Sequence, residues 1–97
     1  MYIKAGVDIS RLNPEIRRTL GPVSVILRKE KVLFVVSSTF EGNHSPHSKH
    51  YANDAYDISA TVARYHPIFI AIKHKLGSKF DVVFEKTHIH IEYDPKS

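Results

Sequence analysis

Cysteine is absent from the 97 residues. Disulfides are therefore excluded, and any zinc site must be assembled from imidazole and carboxylate, the ligand chemistry of catalytic zinc rather than of thiolate-rich structural sites. No apolar run is long enough to span a bilayer. The stretch from Met1 to Asp8 lacks the charged start and apolar centre of a signal peptide, so the expected compartment is the cytoplasm. Internal repeats and low-complexity segments are also missing. A chain of this length makes one domain, 1–97, with a core of modest size to which a bound metal would add stability.

Histidine, by contrast, is abundant, with seven copies. The formal charge of +4 favours acidic partners. No stripe of basic and aromatic residues accompanies it, so nucleic acid is not an expected partner. A membrane is not expected as a partner either, and the chain is expected to be a monomer. Arg17, Arg18, Arg28 and Lys29 read as the solvated side of a helical region.

Asn13-Pro14-Glu15 has the composition of a helix start: a capping side chain, Pro at the first helical position and an acid in the first turn. Helical spacing then runs to about Arg28, interrupted at Gly21-Pro22, which predicts two short helices or one kinked helix. Val32 to Ser38 is β-branched and continuous, the pattern of a strand in the middle of a sheet. Thr39 to Lys49 is polar and reads as loop, and Ala55 to Ser59 as a second strand. Residues 59–65 allow a helical turn. Pro67 to Leu76 predicts a helix closed by Gly77, with His74 near the end where positive charge suits the dipole. Phe80 to Glu85 and His88 to Tyr93 predict an antiparallel hairpin across Lys86-Thr87. The fold class is α+β, a mainly antiparallel sheet with helices packed on one face.

Two segments stand out chemically. In a strand His88 and His90 point the same way, while Ile89, Ile91 and Tyr93 face the other side. His50 and Asp57 are an odd number of residues apart, so a turn or bulge must separate them if both serve one site. Asn53-Asp54 suits that turn, because Asn and Asp tolerate left-handed backbone. The three-residue spacing of His44, His47 and His50 is not helical in a segment containing Asn43, Pro46 and Ser48; His44 and His47 are expected at the border of a cleft.

Together, Ser48, His50, Ala55 and Asp57 resemble the S-x-H-x-x-G-x-A-x-D signature of the superfamily of zinc D-alanyl-D-alanine carboxypeptidases and L-alanyl-D-glutamate endopeptidases, to which the hedgehog domain is similar. His88-Ile89-His90 is similar to that superfamily's later H-x-H element, and the resemblance covers about residues 35 to 95. Asn53 stands where the family usually has Gly, and Glu41 where it has a substrate-binding arginine.

The resemblance implies a zinc site on the sheet with His50, Asp57 and His90 as ligands. His88 would then assist catalysis from the same cavity, and Glu85 would be the general base. Glu85-Lys86-Thr87-His88 also forms an E-x-x-H unit, which leaves His88 open as the alternative ligand. Glu92, two residues beyond His90, is placed to orient an imidazole. The activity implied is zinc-dependent hydrolysis of an amide bond in peptidoglycan stem peptides, as in a phage lysis or cell-wall-remodelling enzyme acting after release. The alternative is a non-catalytic, zinc-stabilised module that binds cell wall or protein.

Overall fold

Alternation along the last strand decides how the sheet is built: Ile89 and Ile91 are fully buried, whereas His88, His90 and Glu92, which alternate with them, are half-buried. One face of the sheet is thus apolar and the other carries titratable groups. The computed structural model describes residues 1–39, 53–59, 65–85 and 87–95. Ser48, His50, Glu41, His44 and His47, with the loop expected from 39 to 49, lie almost wholly outside the described residues, as does most of the helical turn considered for 59–65.

Among the described residues the strands are β1 at Tyr2–Ile3, β2 at Val35–Ser38, β3 at Ala55–Ser59, β4 at Phe80–Phe84 and β5 at His88–Tyr93. They form one sheet in the order β1-β2-β3-β5-β4. Every pairing is antiparallel except β1 with β2. The fold is therefore α+β with a mixed, mostly antiparallel sheet. The short parallel strand is held by the Tyr2 amide donating to the Phe34 carbonyl at 2.7 Å and the Lys4 amide to the Val36 carbonyl at 3.0 Å.

The helices are α1 at Pro14–Arg17, α2 at Leu20–Lys29 and α3 at Tyr65–Leu76. Of the two expected arrangements before Arg28, two separate helices form. The break falls at Arg18 and Thr19, earlier than Gly21-Pro22. Pro22 is accommodated in the first turn of α2, where amides lack an intrahelical acceptor in any case. At the other end Lys31 has φ 57, the left-handed position a glycine commonly fills. Gly77 takes that role after α3, with φ 82 and its amide donating to the Lys73 carbonyl.

Ile16 from α1, Val23 and Leu27 from α2, and Ile68 and Ile72 from α3 share one core with Val36, Tyr56, Ile58, Val82, Ile89 and Ile91 from the sheet. Burying such side chains contributes about 1.5–3 kcal/mol each before entropic losses. Within this core the Tyr56 hydroxyl meets the Thr19 hydroxyl at 2.8 Å, and Thr19 donates onward to the Ile16 carbonyl at 2.6 Å. That hydroxyl pair ties the junction of α1 and α2 to the centre of β3. No helix among the described residues is long and apolar enough to cross a membrane.

Candidate functional site

The polar face of the sheet owes its layout to strand register. β3 and β5 pair so that Asp57 lies opposite His90 and Ser59 opposite His88. On the other side of β5, Val83 lies opposite His90 and Asp81 opposite Glu92. Residues directly opposed across a pair lie on the same face. Asp57, His88, His90 and Glu92 consequently share one surface, remote from the helical core.

A turn delivers Asp57 to that surface. Asn53 has φ 62, in the left-handed region, and its carbonyl accepts the Asn13 amide at 3.0 Å. The Asp54 carboxylate accepts a hydrogen bond from the Asn13 side-chain amide at 2.6 Å, and its carbonyl accepts the Tyr93 amide at 2.8 Å. The turn expected at Asn53-Asp54 is present. The left-handed backbone suits Asn, one of the few residues besides Gly that adopt it readily.

A hairpin delivers Glu85. The Glu85 amide donates to the His88 carbonyl at 2.8 Å, closing the β4–β5 connection. The two side chains also meet, with Glu85 Oε2 at 3.3 Å from His88 Nε2. Thr87 Oγ1 is 3.1 Å from His88 Nδ1. Thr87, which cannot act as a base, thereby gives the His88 ring a partner on the nitrogen that faces away from the carboxylates.

His90 is held differently. Its Nδ1 is 2.8 Å from Asp57 Oδ1 and its Nε2 is 2.7 Å from Glu92 Oε1. A neutral imidazole carries one proton and would leave a bare nitrogen lone pair facing one of these oxygens. The geometry suits the imidazolium. Burial, the largest single influence, pulls the His90 pKa down; hydrogen bonds to Asp57 and Glu92, together with their negative charges, outweigh it and raise the pKa above 6.5.

Asp57 Oδ2 is 3.9 Å from His88 Nε2. Glu85, His88, Asp57, His90 and Glu92 thus form one continuous line of acid and imidazole groups. Exposure falls from 52% at the Glu85 side chain to 28% at His88 and 11% at Asp57. The line opens to solvent at Glu85 and is most enclosed at Asp57.

The chain matches no protein-family model, no characterised protein and no solved structure.

Two donors on a tetrahedral zinc, with bonds of about 2.0–2.1 Å, lie about 3.3 Å apart. The separation of Asp57 Oδ2 from His88 Nε2 is within about 0.6 Å of such an edge. The 2.8 Å contact between His90 and Asp57 is instead a hydrogen-bond distance. Asp57, His88 and His90 are donors of the types that zinc takes, and His50 lies outside the described residues. Asp81, Glu92 and Asp94 also bring one carboxylate oxygen each within 4.8 Å of one another. Acidic groups often gather on a protein surface without a cation, and Glu92 Oε1 is already bonded to His90.

Of the expected site residues, the structure brings Asp57, Glu85, His88 and His90 together. His66 and His74, read as structural, are exposed on α3, and the His66 ring lies 6.0 Å from that of Phe69. Sequence reasoning overlooked Thr87 as a partner for His88; its adjacency to a histidine at a hairpin end was the available signal.

Proposed function

We propose that this chain is a zinc-dependent peptidase that hydrolyses an amide bond in peptidoglycan stem peptides, with Asp57 and His90 holding the metal together with His50, and His88 and Glu85 beside it. The observation that carries the reading is the convergence on Asp57, where His90 Nδ1 lies 2.8 Å from Oδ1 and His88 Nε2 3.9 Å from Oδ2, with Glu85 Oε2 3.3 Å from His88. An acid beside a zinc-type pair of donors is the arrangement that metal-assisted hydrolysis requires. His90 and His88 both reach the Asp57 carboxylate, at 2.8 Å and 3.9 Å, and the resemblance puts the second histidine of H-x-H on the metal, with His88 as the alternative.

Zinc bound there would supply a lowered water pKa and a polarised substrate carbonyl. The protein's own contribution begins with Glu85. Half exposed at the open end of the line, Glu85 Oε2 can accept a proton and return it to a leaving amine. Thr87 holds the His88 ring in one orientation, and Asp57, enclosed in the sheet, keeps its carboxylate away from competing water. The choice of peptidoglycan as substrate rests on the resemblance of the His50 to Asp57 segment and of the H-x-H strand, and not on any pocket.

A second reading, a zinc-stabilised module that binds cell wall or protein without turnover, is favoured by one feature: Glu85, the acid the chemistry would use, is half exposed at the end of the line rather than enclosed beside Asp57. Metal content by elemental mass spectrometry, followed by digestion of purified sacculi, separates the two. The peptidase reading expects about one zinc per chain, its loss in His50→Ala and His90→Ala, and zinc-dependent release of peptides or amino acids. Zinc without release supports the binding module. A protein that takes up no zinc defeats both.

A further inference from the structure

The helical side of the sheet carries a second feature, separate from the acid and imidazole line. Phe80 and Tyr93 are opposed across β4 and β5, next to the opposed pair Asp81 and Glu92, so the two rings face the helices while those acids face away. The rings lie 5.2 Å apart and line a cavity of about 350 Å³ between the α1–α2 junction and the end of α3. Pro22 and Leu76 extend this apolar, half-buried lining. The volume falls within the range of about 300–1,000 Å³ typical of small-molecule sites.

Three cations stand at the rim. Arg18 comes from the α1–α2 junction, Lys75 from the last turn of α3 and Lys79 from the turn before β4, and all three are exposed. Among the described residues none of them makes an ion pair, and Glu15 is the one acid in the lining. A concave surface with apolar walls and an excess of one charge focuses its field and gathers counter-charge. The formal charge of +4 favours acidic partners, and this cavity gives that preference a location.

We infer that the cavity binds a small anion carrying a flat ring, the chemistry of a nucleoside monophosphate. The phosphate meets Arg18, Lys75 and Lys79 at the rim, and the ring lies against Phe80, Tyr93 and Leu76. Glu15 accepts a hydrogen bond from a sugar hydroxyl or a base amine. Thr19 also lines the cavity, but its hydroxyl already donates to Ile16 and accepts from Tyr56, so it serves as wall. Exposed cations each contribute modestly, and affinity comes from their sum together with the ring contact. No part of this site depends on a metal.

The test is an NMR titration of the isotope-labelled full chain with AMP, adenosine and inorganic phosphate. It is run on protein as purified and after passage over a chelating resin, which separates phosphate held by a metal from phosphate in the cavity. AMP should shift Leu76, Phe80 and Tyr93 saturably under both conditions, with adenosine and inorganic phosphate each binding more weakly. Lys75→Ala and Lys79→Ala should each weaken AMP about 2- to 5-fold, and Lys75→Glu/Lys79→Glu should weaken it further. Both lysines are exposed, and circular dichroism verifies that the variants fold.

Absence of a saturable shift with AMP, adenosine or inorganic phosphate binding as tightly as AMP, or wild-type affinity in Lys75→Glu/Lys79→Glu would each overturn the inference. Shifts confined to His88 and His90 would place the anion on the other face of the sheet and overturn it too.

Discussion

Asp57 on β3 and His90 on β5 stand directly opposite one another, and their side chains meet at 2.8 Å. Thirty-three positions of sequence separate them. The contact exists because β5, although it follows β4 in the chain, inserts between β3 and β4. Each strand of the β4–β5 hairpin then has a distinct duty: β4 guards the edge, and β5 lays its histidines against Asp57. Placing the acid line on the sheet face remote from the helices leaves the apolar face free to form the core, so side chains in the line can be changed with little direct loss of core packing.

The His90 imidazolium makes the metal-free protein sensitive to pH in a defined direction. Its pKa is raised on folding, so the stabilisation is fully present below the unfolded value of 6.5 and is lost as pH rises through the higher folded value. Melting temperature in the presence of chelator should therefore fall from about pH 6 to about pH 9, and His90→Gln should flatten that slope. A wild-type slope that His90→Gln leaves unchanged would assign the effect to another group.

Glu85 is predicted to matter for turnover and not for metal retention. Its carboxylate lies beside His88 but is half exposed, and Glu85→Gln preserves shape while removing the basic oxygen. The variant should keep its zinc and lose about 10²- to 10⁴-fold in release of peptide from sacculi. Unchanged turnover would remove Glu85 from the chemistry.

The hydroxyl pair in the core gives an asymmetric prediction. Tyr56 is fully buried; burial raises its pKa far above the usual phenol value, against the opposing effect of its bond to Thr19, so it remains a neutral donor. Thr19 donates to the Ile16 carbonyl and accepts from Tyr56. Thr19→Val leaves a buried phenol without an acceptor and should cost about 1–3 kcal/mol. Tyr56→Phe removes the donor while Thr19 keeps its bond to Ile16, and should cost about 1 kcal/mol or less. Urea denaturation of both variants checks the order; equal costs would mean that Tyr56 finds another acceptor.

Local chemistry made much of this legible. Period-two alternation placed His88 and His90 on one face, Gly77 marked the end of α3, and Asn53-Asp54 marked the turn before Asp57. Other features depend on contacts that no local pattern encodes. β1 is two residues long and exists through its pairing with β2. The register that sets Asp57 against His90 is a property of the whole sheet, and the split of roles between the two histidines depends on which nitrogen each carboxylate reaches. At Gly21-Pro22 the sequence pattern misleads, because Pro is tolerated in a first helical turn and the chain breaks earlier.

The Asn53 turn links stability to the site, and substitution there should report on both. Its φ of 62 is available to Gly at no steric cost, poorly available to most residues and least to β-branched ones. Asn53→Gly should therefore change stability by no more than about 0.5 kcal/mol, and Asn53→Val should cost about 1–2 kcal/mol. The turn fixes where the chain enters β3, through the Asn13 amide on the Asn53 carbonyl and the Tyr93 amide on the Asp54 carbonyl. A residue that cannot hold the left-handed conformation moves this entry point, and Asp57 sits only four positions further on. Asn53→Val should then weaken zinc as well as lower the denaturation midpoint, whereas Asn53→Gly should leave both near wild type. If Asn53→Val loses stability but binds zinc as wild type does, the strand register is set by the β3–β5 ladder alone, and the turn serves folding without tuning the site.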